Sequence, residues 1–175
     1  DPYLSRGLGD VYKRQVTGSA MVFGDDVNTD LLHPSYFFSL DDATVRKGFL
    51  GAVKGREGTP DGARVLVAGE NFGCGSSRET TMKSLKLAGV QALVAVSFGR
   101  IFFRNALCLG LPAFTAPQAR TLAAEGEIIT VDPLRCTAVN TTTGARITLT
   151  PLDPLWMAVL EAGGMMEWLD GWSGV

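Results

Sequence analysis

The chain of 175 residues contains only three cysteines and one histidine. Cys74, Cys108 and Cys136 are an odd number, widely and irregularly spaced, with no CxxC pair. This excludes a disulfide framework and, with one histidine to assist, a zinc or iron-sulfur site held by this chain alone. Reduced cytosolic thiols fit the pattern. Long hydrophobic runs are also missing: none reaches the ~18 residues of a membrane span. The opening residues lack the charged-then-apolar order of a secretory signal. A soluble, cytoplasmic protein is expected. Neither sign of charge dominates, with 16 basic residues against 18 acidic and a net charge of -2. The basic residues are scattered rather than striped, so the footprint for nucleic acid is missing and small molecules or proteins remain as partners.

Apolar residues make up 46% of the chain, enough to bury a sizeable core without staples. One domain over residues 16–175 is expected. Residues 1–15, "DPYLSRGLGDVYKRQ", show neither apolar periodicity nor helix-cap chemistry and are expected to be a non-native or disordered segment outside the fold.

The pattern that follows is α/β. "SAMVFG" reads as a short strand leading into a polar turn, "DDVNTD". "VRKGFLGAVKG" reads as a short helix, "REGTPDGA" as a turn and "RVLVAG" as a buried strand. "TTMKSLKLAGV" spaces Met82, Leu85 and Ala88 at three-residue steps and ends in Gly89, which predicts a helix of about three turns. "QALVAVS", "FGRIFFRNALCLG" and "LPAFT" then give strand, helix and strand, the signature of a parallel sheet with crossover helices. "APQARTLAAEG" reads as helical, "EIITVD" as a strand, and "CTAVNTTTGARITLT" as a hairpin around Thr143 and Gly144. The last helix has Asp153 as its N-cap, Pro154 at the first helical position and Gly163 beyond its last turn, with Trp156, Met157 and Leu160 expected to pack on the sheet.

The densest chemistry lies in "GENFGCGSSRE", residues 69–79. Ser76-Ser77-Arg78-Glu79 matches the capping box S-x-x-E, with the Ser76 hydroxyl accepting from the Glu79 amide. A dinucleotide loop is disfavoured because Arg78 occupies the place of its third glycine, and no Gly-Lys-Ser/Thr occurs. Capping does not account for three glycines and an adjacent arginine. Gly73 and Gly75 allow close approach of backbone to a ligand, and the guanidinium of Arg78 at a helix N-terminus suits a carboxylate. An organic acid is the natural ligand.

"VAGENFGCGSSRE", with "FGDDVNTDLLHPSY" before it, "AVSFGRIFFRNALCLGLPAF" after it and "LEAGGMMEWL" near the end, resembles the small subunit of 3-isopropylmalate dehydratase, the swivelling domain of the aconitase family. The resemblance runs from about Val16 onward with the motifs in family order. It implies a three-layer β/β/α domain, with a largely parallel sheet plus a hairpin, that closes over a four-iron four-sulfur cluster carried by a separate large subunit. It also implies isomerisation of 2-isopropylmalate to 3-isopropylmalate by dehydration and rehydration, as in leucine biosynthesis. Through it Ser76 is the residue that moves the carbon-bound proton, Ser77 and Arg78 are substrate ligands, Thr29 contributes to substrate binding, and Asp30 belongs to the acid-base network near the leaving hydroxyl.

Local chemistry alone also allows Thr29 and Asp30 to be turn or cap residues. Arg100 and Arg104 read as a solvated or interface face, or as an anchor for substrate. His33, Cys74 and the Phe98, Phe102, Phe103 run read as structural. Four positions depart from the family pattern: Val96 where a lysine is frequent, Thr80 where a histidine is frequent, and, in "PSYFFSLDD", Phe37 and Phe38 in place of Leu-Arg. A related hydro-lyase acting on homoaconitate-type or substituted-malate substrates therefore stands beside the isopropylmalate reading, as does a non-catalytic carboxylate-binding module.

Overall fold

The computed structural model describes residues 15–53, 55–56 and 62–172. Most of the segment 1–15, and residues 57–61 of the turn read at "REGTPDGA", lie outside them. One sheet of seven strands organises the chain, in the order β4-β3-β2-β1-β5-β6-β7. The strands are β1 (Val16–Val22), β2 (Arg64–Ala68), β3 (Val90–Ala95), β4 (Ala113–Thr115), β5 (Ile128–Asp132), β6 (Thr137–Asn140) and β7 (Arg146–Thr148). β1 to β4 pair in parallel, with helices α3 (Glu79–Leu87) and α4 (Arg100–Cys108) as crossovers. β5 lies antiparallel against β1, and the β6–β7 hairpin extends that edge.

The alternation of side chains explains the layers. The rung Met21, Leu66, Leu93 and Ala113 points to one face and is buried with Met82, Leu85, Phe102 and Leu107 of the helices. The next rung places Val67, Val94 and Phe114 on the opposite face, where they share a core with Ile129, Val131, Ala138 and Ile147 of the antiparallel strands. Strands of one sheet can share a core only if the sheet curls back over itself, so the layers run β5–β7, β1–β4 and helices. Burying each such Val, Leu, Ile, Met or Phe side chain stabilises the fold by about 1.5–3 kcal/mol.

Several sequence expectations meet the structure directly. Gly89 and Gly110 follow α3 and α4 with φ of 85° and 74°, the left-handed conformation that ends a helix. α5 (Pro154–Ala162) is capped by Asp153, whose carboxylate accepts from the Leu155 amide, and ends at Gly163 with φ 98°. Leu160 is buried with the helix-side core and Trp156 packs at its margin, whereas Met157 is only half-buried.

Other elements differ. The helix expected around residues 45–55 is α2 (Asp42–Lys47), because the Asp41 carboxylate caps it earlier by accepting from the Thr44 amide at 2.9 Å. "APQARTLAAEG" forms only a 3-10 turn at Ala119–Thr121, with Ala119 and Leu122 buried on the sheet. A further helix, α6 (Met165–Gly171), follows α5 directly, and Gly163 and Gly164, both at positive φ, make the corner.

Candidate active site

Three loops leave the carboxyl ends of β1, β2 and β3 side by side, where open parallel sheets bind their ligands. The first carries Asp25 to Asp30 into α1 (Thr29–Leu32), the second runs through residues 69–78 into α3, and the third, residues 96–99, enters α4. Backbone bonds join them: Gly73 donates to Val27 (2.8 Å), Thr29 to Cys74 (3.0 Å), Phe72 to Ser97 (3.1 Å) and Gly99 to Phe72 (2.9 Å). Asp25 accepts from the Glu70 amide at 2.7 Å and pairs with Arg120 at 2.5 Å. The Arg120 guanidinium and then the Glu70 amide hold the Asp25 carboxyl below the usual carboxylate range.

Gly73 and Gly75 have φ of 76° and 93°, and a Cβ on Gly73 would strike the Phe102 ring. The loop can pass over α4 at this distance only without a side chain. Phe102 itself sits at the centre of an aromatic cluster, edge-on to Phe72 at 5.5 Å and stacked on Phe98 at 6.1 Å. The phenylalanines of that segment are thus core, and the core supports the loop.

The expected capping box does not form. α3 begins at Glu79 with Arg78 in extended conformation as its N-cap, and no side chain caps it. Tertiary hydrogen bonds prevail over the local one: the Thr29 hydroxyl donates to the Ser76 carbonyl at 3.3 Å, and the Asn105 amide reaches the Ser77 carbonyl and hydroxyl, each at 3.4 Å. The stretch 76–78 is thereby drawn out straight, and the helix starts later than a Ser76 cap requires. Two consequences follow for chemistry. Ser76 is exposed and its hydroxyl has no hydrogen bond among the described residues, and at the start of α3 the Glu79 and Thr80 amides are uncapped, while the Thr81 amide donates to the Arg78 carbonyl at 3.1 Å.

Thr29 is 2% exposed, so its hydroxyl is committed to the Ser76 carbonyl, whereas Asp30, beside it in the first turn of α1, is exposed. Asn28 caps that turn by accepting from the Asp30 amide at 2.8 Å. Arg78 is exposed; among the described residues its guanidinium forms no hydrogen bond or ion pair, and its Cζ lies 5.1 Å from the centroid of the Phe38 ring. Arg100 and Arg104 are exposed on α4, likewise without an ion pair among the described residues. Ser76, Ser77 and Arg78 therefore share one loop, and Thr29, beside Asp30 on the adjoining one, is tied to it through the Ser76 carbonyl.

Asn105 and Phe38 are the contributors that residue type alone does not reveal. In the sequence Asn105 is only a polar residue on a largely apolar helix, and Phe38 stands out only as a departure from the family's loop.

A cleft of about 320 Å³ between α3, α4 and α6 is walled by Glu79, Asn105, Cys108, Leu109, Met165 and Met166, not by Ser76 or Arg78. The half-buried Cys108 lies in that wall, and its burial pushes the thiol pKa up. Ser76, Arg78 and Asp30 are exposed instead, along the open rim of the loops that leave β1 and β2. Among the described residues no group of three or more His, Cys, Asp or Glu is placed to hold a metal ion, and all three cysteines are free. No described helix is long and apolar enough to cross a membrane.

Residues 48–118, from the end of α2 through β4, match the model of the aconitase C-terminal domain. The 3-isopropylmalate dehydratase small subunit of Moorella thermoacetica is 36% identical over 88% of this chain and 94% of its own length. That of Pyrobaculum neutrophilum is 40% identical over 89% of this chain and 96% of its own. The crystal structure of 3-isopropylmalate dehydratase from Methanocaldococcus jannaschii superposes with a TM-score of 0.82 at 33% identity, covering 90% of this chain and 94% of that one. Identity at this level over nearly the whole of both chains, on the same curled sheet, is the mark of common descent: the chain belongs to the family of 3-isopropylmalate dehydratase small subunits, within the aconitase family.

Proposed function

We propose that this chain is the small subunit of a cytoplasmic hydro-lyase that isomerises 2-isopropylmalate to 3-isopropylmalate, acting with a large iron-sulfur subunit. Family membership supports the reaction class. The observation that carries the assignment to residues is the exposed Ser76 beside the uncapped N-terminus of α3 and the uncommitted guanidinium of Arg78. A helix N-terminus and an arginine fork are both matched to carboxylate oxygens, and the substrate is a dicarboxylate.

In this reading Ser77, Arg78 and the Glu79 and Thr80 amides hold the carboxylates, and Ser76 takes the carbon-bound proton. The electron pair of that C–H bond becomes the second bond of the alkene as the hydroxyl on the neighbouring carbon takes up a proton and departs as water. Asp30 serves the acid-base network near that hydroxyl. Rehydration reverses the steps with the two carbons exchanged, and Ser76 returns its proton. Thr29 contributes through Ser76, whose carbonyl it holds. The cluster is assigned to the large subunit; the described residues of this chain do not fit it.

Energetics explain why a partner is needed. A serine hydroxyl is less acidic than tyrosine's, at about 10, so ionising it near neutrality requires at least ~3 units, or more than ~4 kcal/mol. A helix N-terminus supplies about 0.3–2 kcal/mol and fades beyond the first turn, and Ser76 lies two residues before the N-cap. The remainder must come from Arg78 and from a cavity dried by the large subunit docking over the open rim.

Residues 34–40 carry no charge, which offers the substrate's side group an apolar surface and favours an isopropyl group over the additional carboxylate of homocitrate-type acids. The test is to assay the purified chain, alone and with its large subunit, on isopropylmalate, homocitrate-type acids and methylated malates. Isopropylmalate turnover that requires both subunits supports the assignment. Turnover without the large subunit, or a preference for a tricarboxylate, contradicts it.

A further inference from the structure

We infer that Phe38 is a positioning residue for Arg78, its ring holding the guanidinium where a substrate carboxylate can be gripped. The inference rests on the reading of Arg78 as a carboxylate ligand. The Arg78 Cζ lies over the Phe38 ring at 5.1 Å from its centroid, inside the range of cation–π attraction. Contact with a ring face engages the charge of a guanidinium without consuming its N–H donors. No hydrogen bond or ion pair among the described residues competes for it, so the ring is what restrains an otherwise exposed, flexible side chain.

The ring is itself anchored. Phe38 stacks on His33 with centroids 5.3 Å apart and planes 26° from parallel. His33 is fully buried, and its Nε2 lies 3.1 Å from the Val45 carbonyl of α2. Gly48 gives the histidine its room, since a Cβ there would strike the imidazole. A chain of contacts therefore runs from α2 through His33 and Phe38 to Arg78, across two loops that no strand pairing joins. A leucine at 38 would fill a similar volume but could not present a π face.

The experiment uses the reconstituted complex with its large subunit and 3-isopropylmalate as substrate. Phe38→Leu should raise KM by about 3- to 30-fold, the range a cation–π contact spans, and Phe38→Tyr should stay within about 2-fold of the parent. In an Arg78→Gln background, Phe38→Leu should add little, because the partner through which it acts is gone. An unchanged KM in Phe38→Leu overturns the inference while leaving the role of Arg78 intact. So does an equal loss in Phe38→Tyr, a readout that stands even where Arg78→Gln is too slow to assay, or a loss that multiplies undiminished with Arg78→Gln. Parental kinetics in Arg78→Gln itself overturn the reading of Arg78 on which the inference is built.

Discussion

The hydroxyl of Thr29 donates to the carbonyl oxygen of Ser76 at 3.3 Å, joining two loops that are 47 residues apart in the chain. Thr29 is almost wholly buried and Ser76 is exposed, so the bond fixes a solvent-facing residue from inside the protein. Thr29→Val keeps the shape and removes the donor. It should cost about 1 kcal/mol of stability in urea unfolding and lower kcat of the complex, and Thr29→Ser should restore both.

Ser76 itself caps nothing. Ser76→Ala should leave unfolding stability within about 0.5 kcal/mol of the parent, as for exposed side chains without partners. Loss of an N-cap serine would cost about 1 kcal/mol, so denaturant titration distinguishes the two.

Gly73 combines a φ of 76° with direct contact to the Phe102 ring. Gly73→Ala should therefore destabilise by about 2–4 kcal/mol, the left-handed penalty and overpacking acting together. Thermal unfolding checks it, and Gly144→Ala, at φ 83° in open space, should cost only the conformational part.

His33 supplies a pH dependence. Burial lowers its pKa from 6.5, so the unfolded chain binds the proton more readily and stability is complete above about pH 6.5. It should fall as pH drops below that value, and level off below the folded pKa. The carboxyls held low, Asp25, Asp41, Glu127 and Asp132, act in a more acid window, below their ordinary values of 3.8 to 4.5. Stability measured from about pH 7.5 to about pH 5 should slope downward in the parent, and the slope should be absent in His33→Asn.

What can be read from the sequence is whatever local chemistry decides. Asp153, Pro154 and Gly163 bound α5 as their residue types require, and Gly89 and Gly110 end their helices for the same reason. The glycine-rich loop is recognisable as a site because three glycines and an arginine exceed what a helix start needs. Local rules fail where distant partners outweigh them. Ser76 and Glu79 have the spacing of a capping box, yet Thr29 and Asn105 hold the loop extended. "APQARTLAAEG" has helical composition, yet burial of Ala119 and Leu122 on the sheet leaves it one 3-10 turn. The stack of His33, Phe38 and Arg78 has no local signal, since Arg78 is far from the other two in the chain and only the fold brings them together.

The most direct test of the central claim is the rate at which the reconstituted complex dehydrates 3-isopropylmalate, measured for the parent and for the Ser76→Ala variant. Positioned proton transfer is worth about 10²- to 10⁴-fold, and a loss of that size in kcat, with the complex intact and the chain's unfolding unchanged, is the predicted result. Dehydration at the parental rate by the Ser76→Ala complex would contradict the account.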